Sequence, residues 1–286
     1  GVTVEATGGG NSSAGGGGGA GIGSGDSAKG TTDILIEGAT KVIAKGGSTA
    51  AGIGSGLGVG YSADGPVGST TITIRNSGGV IPIIEATGGG VENGSCWASG
   101  AGIGAGGNTL NKTTINIEGG TITATGGTSY DSRYNSDIRL SGAGIGSGSN
   151  VSGETEINIS GGTIKSASGG KYGGAGIGSG SYSGSTPENE KGAVTIKITG
   201  GTIDKVSGGT HGAGIGSGYI GGSSTVNISG NAKLENVTGG EYAAGIGSGH
   251  GSGKVDVVID GGTIKATGGS DAAGIGSGHN SPSSVT

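Results

Sequence analysis

Phenylalanine and methionine are absent from this chain of 286 residues, which contains one tryptophan and four prolines. Any hydrophobic core must therefore be built from aliphatic side chains. Glycine is abundant, but it does not recur at every third position beside many prolines, which excludes a collagen triple helix. The single cysteine, Cys96, cannot form an internal disulfide.

Charge is also scarce in this sequence. Charged residues make up 12% of the chain, the formal net charge is −5, and lysine and arginine form no cluster. We therefore expect no nucleic-acid partner, because phosphate binding depends on grouped positive charge. No run of about 18 apolar residues is present, so we also expect no insertion into a membrane.

Glycine and β-branched residues dominate what is present. The chain has 79 glycines, and between them Ile, Val and Thr recur at fixed offsets. A flexible linker would lack these residues, which favour strands. The composition therefore fits short strands separated by glycine-rich turns.

The six-residue sequence Ala-Gly-Ile-Gly-Ser-Gly occurs seven times, and an eighth copy has Ala in place of Ser. We call these eight copies the strings. Their central residues are Ile22, Ile53, Ile103, Ile145, Ile177, Ile215, Ile246 and Ile275. An internal repeat of this kind predicts a solenoid.

Two further segments complete each repeat. In one copy a Thr-x-Ile-x-Ile segment covers residues 113–117 and a Thr-Ile-x-Ala-Thr segment covers residues 121–125, each followed by glycines. Alternation with period two predicts strands with one buried face, and glycine supplies the positive φ that corners need. Three strands and three corners make one triangular coil.

Consecutive strings are 29 to 50 residues apart. The shortest spacings correspond to a coil without insertions, and the longer ones to coils that contain an insertion. Three insertions precede a string, at 11–19, 90–100 and 128–142, and one follows a string, at 181–192. Insertions at corners leave a stack of coils intact. We therefore predict an all-β fold, a right-handed parallel β-helix of about eight three-strand coils. A β-prism or a bundle of polyglycine helices is the alternative.

Two aliphatic columns are predicted to fill the core. The first is Ile34, Ile72, Ile115, Ile157, Ile196, Val226 and Val257, and the second is Ile36, Ile74, Ile117, Ile159, Ile198, Ile228 and Ile259. In the strings we expect Ile, Ala and Ser to face inward and the glycines to face outward as a strip of bare backbone. The alternative is that the glycines serve only tight corners and close packing.

Residues 1–286 are expected to form one solenoid domain. Both chain ends fall within a coil and neither carries a polar cap of its own. Because uncapped solenoids usually continue or are covered, we expect this chain to be part of a longer protein.

A carboxylate pair is one candidate for chemistry. Asp204 and Glu235 fall in one outward column on the second strands of adjacent coils, about 5 Å apart. Such a pair is able to share a proton or hold a hard cation, as in glycosidases and calcium sites. Lys165 and Lys265 in the same column offer the alternative that the acids are neutralised.

Rings flanking the strings of the C-terminal half are the main candidates for ligand contact: Tyr172, His211, Tyr219, Tyr242, His250 and His279. Aromatic rings beside a flat surface are able to stack on sugars. The alternative is that these rings stack on one another along a corner. His250 and His279 on adjacent coils are too few for a zinc site.

The insertions supply three more candidate contact residues, Trp97, Tyr130 and Tyr134, because solenoids place binding residues on loops at one edge. The chain has no Walker loop, zinc pattern, nucleophile elbow or repeated calcium-binding nonapeptide. We therefore expect no cofactor and no metal.

The strings, together with the Gly-Gly-Thr-Ile and Thr-x-Ile-x-Ile segments, resemble the glycine-rich β-helical repeat regions of large surface proteins from Gram-positive gut bacteria. The resemblance covers nearly the whole chain. It implies an extracellular or wall-attached location and a carbohydrate-binding or adhesive role. The architecture is also similar to that of pectate-lyase-like β-helix enzymes, but no cluster of Asp with Arg or Lys accompanies it.

These observations favour a non-enzymatic β-helical segment of a bacterial surface protein, acting as a stalk or as an adhesive module for glycans or host proteins. Two alternatives stay open. One is a polysaccharide-active enzyme using Asp204 and Glu235, and the other is a structural module that self-associates through its glycine face.

Overall fold

The computed structural model describes residues 1–10, 17–58, 68–91, 98–131, 138–183 and 190–286. The described elements are strands, and those of successive coils pair in parallel. The predicted all-β parallel β-helix is therefore confirmed. Among the described residues no helix has the length and apolar character to cross a membrane.

The first strands of the coils form one parallel ladder. Its members are Thr31–Ile36, Ser69–Ile74, Lys112–Ile117, Thr155–Ile159, Val194–Ile198, the first halves of Ser224–Thr238 and Val255–Thr267, and Ser283–Val285.

The second strands form another parallel ladder. Its members are Val2–Thr7, Ala39–Lys45, Ile83–Thr87, Thr121–Thr125, Thr163–Ser168, Thr202–Ile203 with Val206–Ser207, and the second halves of Ser224–Thr238 and Val255–Thr267. The two long strands join both ladders into one sheet of 15 strands.

The strings form the third side of the coil, a ladder of eight two-residue strands: Ile22–Gly23, Ile53–Gly54, Ile103–Gly104, Ile145–Gly146, Ile177–Gly178, Ile215–Gly216, Ile246–Gly247 and Ile275–Gly276. Outside these ladders, the insertion at 128–142 contains an antiparallel hairpin of Thr128–Asp131 and Ile138–Ser141.

The core lies where the three ladders face one another. Cα pairing aligns Ile34, Ile72 and Ile115 in the first predicted column and Ile36 with Ile74 in the second. Away from the chain ends these side chains are fully buried, so both predicted columns are confirmed. Replacing one such isoleucine by alanine removes about 2–5 kcal/mol of stability, because the surrounding coil cannot close the cavity.

Each string is a tight arch rather than a full strand. The N–H of Ala51 donates to the carbonyl of Ser55 at 3.0 Å within the string, and the strand that pairs with the neighbouring coils is limited to Ile53 and Gly54. Ile53 is fully buried in the core. The predicted inward direction of the string isoleucine is therefore confirmed.

The prediction that the string glycines form an exposed strip of backbone is wrong. In the interior coils these glycines are buried, because the segment after each string pairs with the segment before the preceding string. The N–H of Gly107 donates to Thr49 at 2.9 Å and that of Ser149 donates to Ser99 at 2.8 Å, which closes the chain over the strings. The glycine surface that was expected to mediate self-association is therefore covered by the segments on either side of the strings.

Close packing and backbone conformation explain the glycines of the string. A Cβ on Gly102 would lie 2.6 Å from the carbonyl oxygen of Gly144. Gly104 has a φ of +135°, and its Cβ would lie 1.8 Å from the oxygen of Gly146. A side chain at either position would separate adjacent coils, so the alternative explanation, close packing, accounts for these residues.

Candidate functional site

The junction that precedes each string forms a continuous edge of the solenoid, which we call the pre-string edge. Backbone hydrogen bonds link it from coil to coil: Tyr130 donates to Val91 at 3.0 Å, Thr210 to Lys171 at 3.0 Å and Tyr242 to Thr210 at 3.3 Å. The hairpin at 128–142 and the candidate rings that precede strings therefore share one edge.

Five rings gather at this edge on the last three coils, and we call them the ring ridge: His211, Tyr219, Tyr242, His250 and His279. Neighbouring ring centroids lie 5.0 to 6.0 Å apart. His211 and Tyr242 are stacked at 5.0 Å with an interplanar angle of 12°. All five side chains are half-buried, so they pack on one another and still reach solvent.

The ridge forms because two columns that are separate in sequence interleave in space. The N–H of His250, after its string, donates to the carbonyl of His211, before the previous string, at 2.9 Å. His279 donates to Tyr242 in the same way at 2.9 Å. Rings after one string therefore lie beside rings before the preceding string.

Two imidazoles of the ridge form a hydrogen bond through their ring nitrogens. Nδ1 of His211 lies 3.1 Å from Nδ1 of His250, and the ring centroids are 5.2 Å apart with a tilt of 40°. Among the described residues, no group of three or more His, Cys, Asp or Glu side chains is arranged to hold a metal ion.

Acidic residues border the ridge. A hydrogen bond with Glu241 and the charge of that carboxylate raise the pKa of Tyr242, with smaller contributions from burial and from Asp271. Burial lowers the pKa of His250, and the neighbouring His279 lowers it further. Sequence reasoning missed both acids, although Asp271 precedes its string at the position that Tyr242 occupies one coil earlier.

Tyr172 and Tyr130, two further ring candidates, lie along the same edge. Tyr172 is half-buried, its carbonyl accepts the N–H of His211 at 2.8 Å, and Nζ of Lys171 lies 5.4 Å from its ring centroid. Tyr130 lies in the hairpin of the fourth coil, paired across to Arg139. Trp97 and Tyr134 lie outside the described residues.

The carboxylates Asp204 and Glu235 each contact a lysine. Asp204 pairs with Lys165 on the preceding coil at 2.6 Å, and Glu235 pairs with Lys233 on its own strand at 2.5 Å. All four side chains are partly exposed. The Lys165 contact agrees with the alternative in which lysines neutralise the acids, whereas the lysine at Glu235 is Lys233 and not the expected Lys265.

One large residue of the core escaped sequence reasoning. Tyr182 begins the insertion after the fifth string and is buried, with 2% of its surface exposed. Its hydroxyl donates to the carbonyl of Val151 and accepts the N–H of Gly192 at 2.9 Å. The tyrosine therefore fixes both ends of this insertion against the neighbouring coil.

Comparison with known families identifies the repeat. Five segments match a family model described as "Beta helix repeat": residues 34–57, 115–149, 157–181, 196–219 and 257–279. Each segment begins in the first core column and ends shortly after a string, so the family repeat has the phase of the structural coil. No curated protein and no solved structure matches the chain.

Proposed function

We propose that this chain is a non-enzymatic β-helical module of a bacterial surface protein that adheres to glycans through the ring ridge. The coil stack supplies a rigid support, and the ridge supplies ring faces and polar ring atoms at its edge. Location at the cell surface is part of the proposal and is supported by the sequence resemblance of the strings.

The gathering of His211, Tyr219, Tyr242, His250 and His279 at one edge is the observation that carries the proposal. Sugars present both C–H groups and hydroxyls, and half-buried tyrosines and histidines offer a flat apolar surface with polar atoms at its rim. Repetition along a rigid edge favours several weak contacts at once, which gain avidity without any single strong one.

The ion pairs of Asp204 and Glu235 favour a binding role over a catalytic one. A glycosidase requires one carboxyl to stay protonated near neutral pH while its partner stays ionised. Asp204 and Glu235 are both partly exposed and each contacts a lysine, so neither carboxyl lies in the buried setting that such an acid occupies. The proposal therefore assigns these residues to the solvated surface of the second ladder.

A glycan array that includes mucin and plant polysaccharide fragments tests the proposal. We expect selective binding that falls about fivefold in Tyr219→Ala and in Tyr242→Ala, since one stacked ring contributes roughly 0.5–1.5 kcal/mol. Ile81→Ala is the control, because this exposed side chain lies away from the pre-string edge, before the second strand of its coil. All variants are compared at equal folded fraction by circular dichroism.

Three results would contradict this function. If no glycan on the array bound, the chain would be a stalk without a glycan ligand. If Tyr130→Ala abolished binding and the ridge variants retained it, the glycan would contact the hairpin and not the ridge. Release of sugar fragments from any array polysaccharide, lost in Asp204→Asn, would restore the enzyme alternative.

A further inference from the structure

A hydrogen bond joins the Nδ1 atoms of His211 and His250, and a metal ion bound to both nitrogens would replace it. The two Nδ1 atoms are 3.1 Å apart. Metal–imidazole bonds are about 2.0–2.1 Å long, so an ion bound to both nitrogens would make an N–metal–N angle of about 100°. This value lies between the angles of square-planar and tetrahedral coordination, and modest rotation of the rings turns both lone pairs toward such an ion.

The fold holds this pair in position. The backbone of His250 donates to that of His211 at 2.9 Å, and His211 in turn donates to Tyr172 at 2.8 Å. The ring of Tyr242 stacks on His211, and Tyr219 contacts both imidazoles with centroids 5.0 and 5.5 Å away. Little side-chain freedom is then lost when an ion binds, which favours binding.

We propose that His211 and His250 form a binding site for copper(II), with water in the remaining coordination positions. Two imidazoles do not complete a zinc site, which takes three or four protein ligands in a tetrahedral arrangement. Copper(II) accepts nitrogen and oxygen ligands in a tetragonal plane and binds a given nitrogen site more tightly than other first-row divalent ions.

Two carboxylates act on Tyr242, whose ring stacks on His211. The carboxylate of Glu241 lies at the hydroxyl of Tyr242, and Asp271 acts on the same hydroxyl through its charge. Both acids border the ridge without being ligands in this proposal. In the ligand form, the proton that one Nδ1 donates in the hydrogen bond is transferred through water to Nε2 of the same ring, so both Nδ1 lone pairs are available to the ion and no proton is released.

The repeat itself offers substitutions that the fold accepts. Tyr242 occupies the position of His211 on the next coil, and Tyr219 occupies the position of His250 and His279 on a preceding coil of the ridge. The variants His211→Tyr, His250→Tyr and His279→Tyr therefore replace each imidazole by the ring that a neighbouring coil already carries.

Isothermal titration with CuCl2, with glycine as a weak competing ligand, tests the site at pH 7.4. We expect one equivalent of copper per chain, and a loss of affinity of about tenfold or more in His211→Tyr and in His250→Tyr. The control His279→Tyr should keep the affinity of the parent chain. Electron paramagnetic resonance of the loaded parent chain should show coupling to two imidazole nitrogens.

Copper that still binds equally well to the double variant His211→Tyr/His250→Tyr would overturn the proposal, as would an equal loss in His279→Tyr. Absence of binding above that of the glycine buffer would overturn it too. These readouts do not involve glycans, so they succeed or fail independently of the proposed adhesive function.

Discussion

The N–H of Gly218 donates to Oγ of Ser179, one coil earlier, at 2.9 Å. The same contact joins Gly106 to Ser55 at 2.9 Å and Gly180 to Ser147 at 3.0 Å. The serine of the string is therefore a buried acceptor that connects each coil to the next one. Its hydroxyl accepts the N–H of the last glycine of the next string, which lies outside the two-residue strand of the string ladder.

Exchanging serine and alanine in the string tests this contact in both directions. Ser179→Ala should lower the free energy of unfolding by about 1–3 kcal/mol, because the buried N–H of Gly218 loses its acceptor. Ala105→Ser, in the one string that lacks serine, should raise it by about 0.5–1.5 kcal/mol by supplying an acceptor to the fourth coil. Urea unfolding measures both, and equal behaviour of the two variants would refute this role.

Glycine at the last position of the string should tolerate a methyl group only at the N-terminal end of the stack. A Cβ on Gly218 would lie 2.6 Å from the oxygens of both Gly173 and Gly180, whereas a Cβ on Gly25 would meet nothing within 4 Å. Gly218→Ala should therefore destabilise the chain by at least about 2 kcal/mol. Gly25→Ala should stay within about 0.5 kcal/mol of the parent chain.

Thermal unfolding monitored by circular dichroism separates this pair of variants. They carry the same substitution at the same string position, so helix or strand propensity does not distinguish them. If both melted at the temperature of the parent chain, the close approach of the coils at Gly218 would be wrong.

A buried hydroxyl in the first ladder offers a stabilising change. Within the described structure Oγ1 of Thr155 has no hydrogen-bond partner, and Val194 occupies the same register on the next coil. Thr155→Val should raise the free energy of unfolding by about 1 kcal/mol, because it removes an unsatisfied polar atom and keeps the shape of the side chain. Thr195→Val, on the outward side, is the control and should change little; a loss of stability in Thr155→Val would show that its hydroxyl is satisfied.

Acid should weaken one ion pair on the outer face of the first ladder. Nζ of Lys197 contacts Glu156 at 3.0 Å, and this hydrogen bond lowers the pKa of Glu156 from its ordinary value of 4.5. A lowered pKa means that the stabilisation is complete above pH 4.5 and is lost as the pH falls through the folded value. The side chains are partly exposed, so the contribution stays below about 1 kcal/mol.

The measurement compares the parent chain with Glu156→Gln in urea at pH 7 and at pH 3. The parent chain should be slightly more stable at pH 7, and the difference should shrink at pH 3. Lys197→Met provides the control, because without the lysine the glutamate substitution should have a smaller effect at pH 7. A difference that grows in acid would contradict the assigned sign.

The sequence predicted the core better than the surface, for a physical reason. Isoleucines such as Ile115 and Ile117 alternate with polar residues, and period two leaves one choice of buried face. Gly102 and Gly104 carry no such information, since glycine fits both an exposed strip and a packed arch. The arch at the string therefore emerged only from the pairing of the segments on either side of it.

The ring ridge shows a second limit. His211 and His250 fall in different columns when the repeats are aligned, one before the string and one after it. Their contact depends on the offset by one coil with which the segment after each string pairs. Alignment of repeats compares equivalent positions and does not reveal this offset, so the sequence indicated both columns and missed their interleaving.

The position two residues before the string carries His211, Tyr242 and Asp271 on the last three coils, while the core beneath it stays aliphatic. On these coils the fold accepts an imidazole, a phenol or a carboxylate at this position. Coils stack about 4.8 Å apart, so this position presents one side chain per coil at a fixed spacing along the edge. A single substitution there changes the side chain that one coil presents and leaves the side chains of the other coils in place.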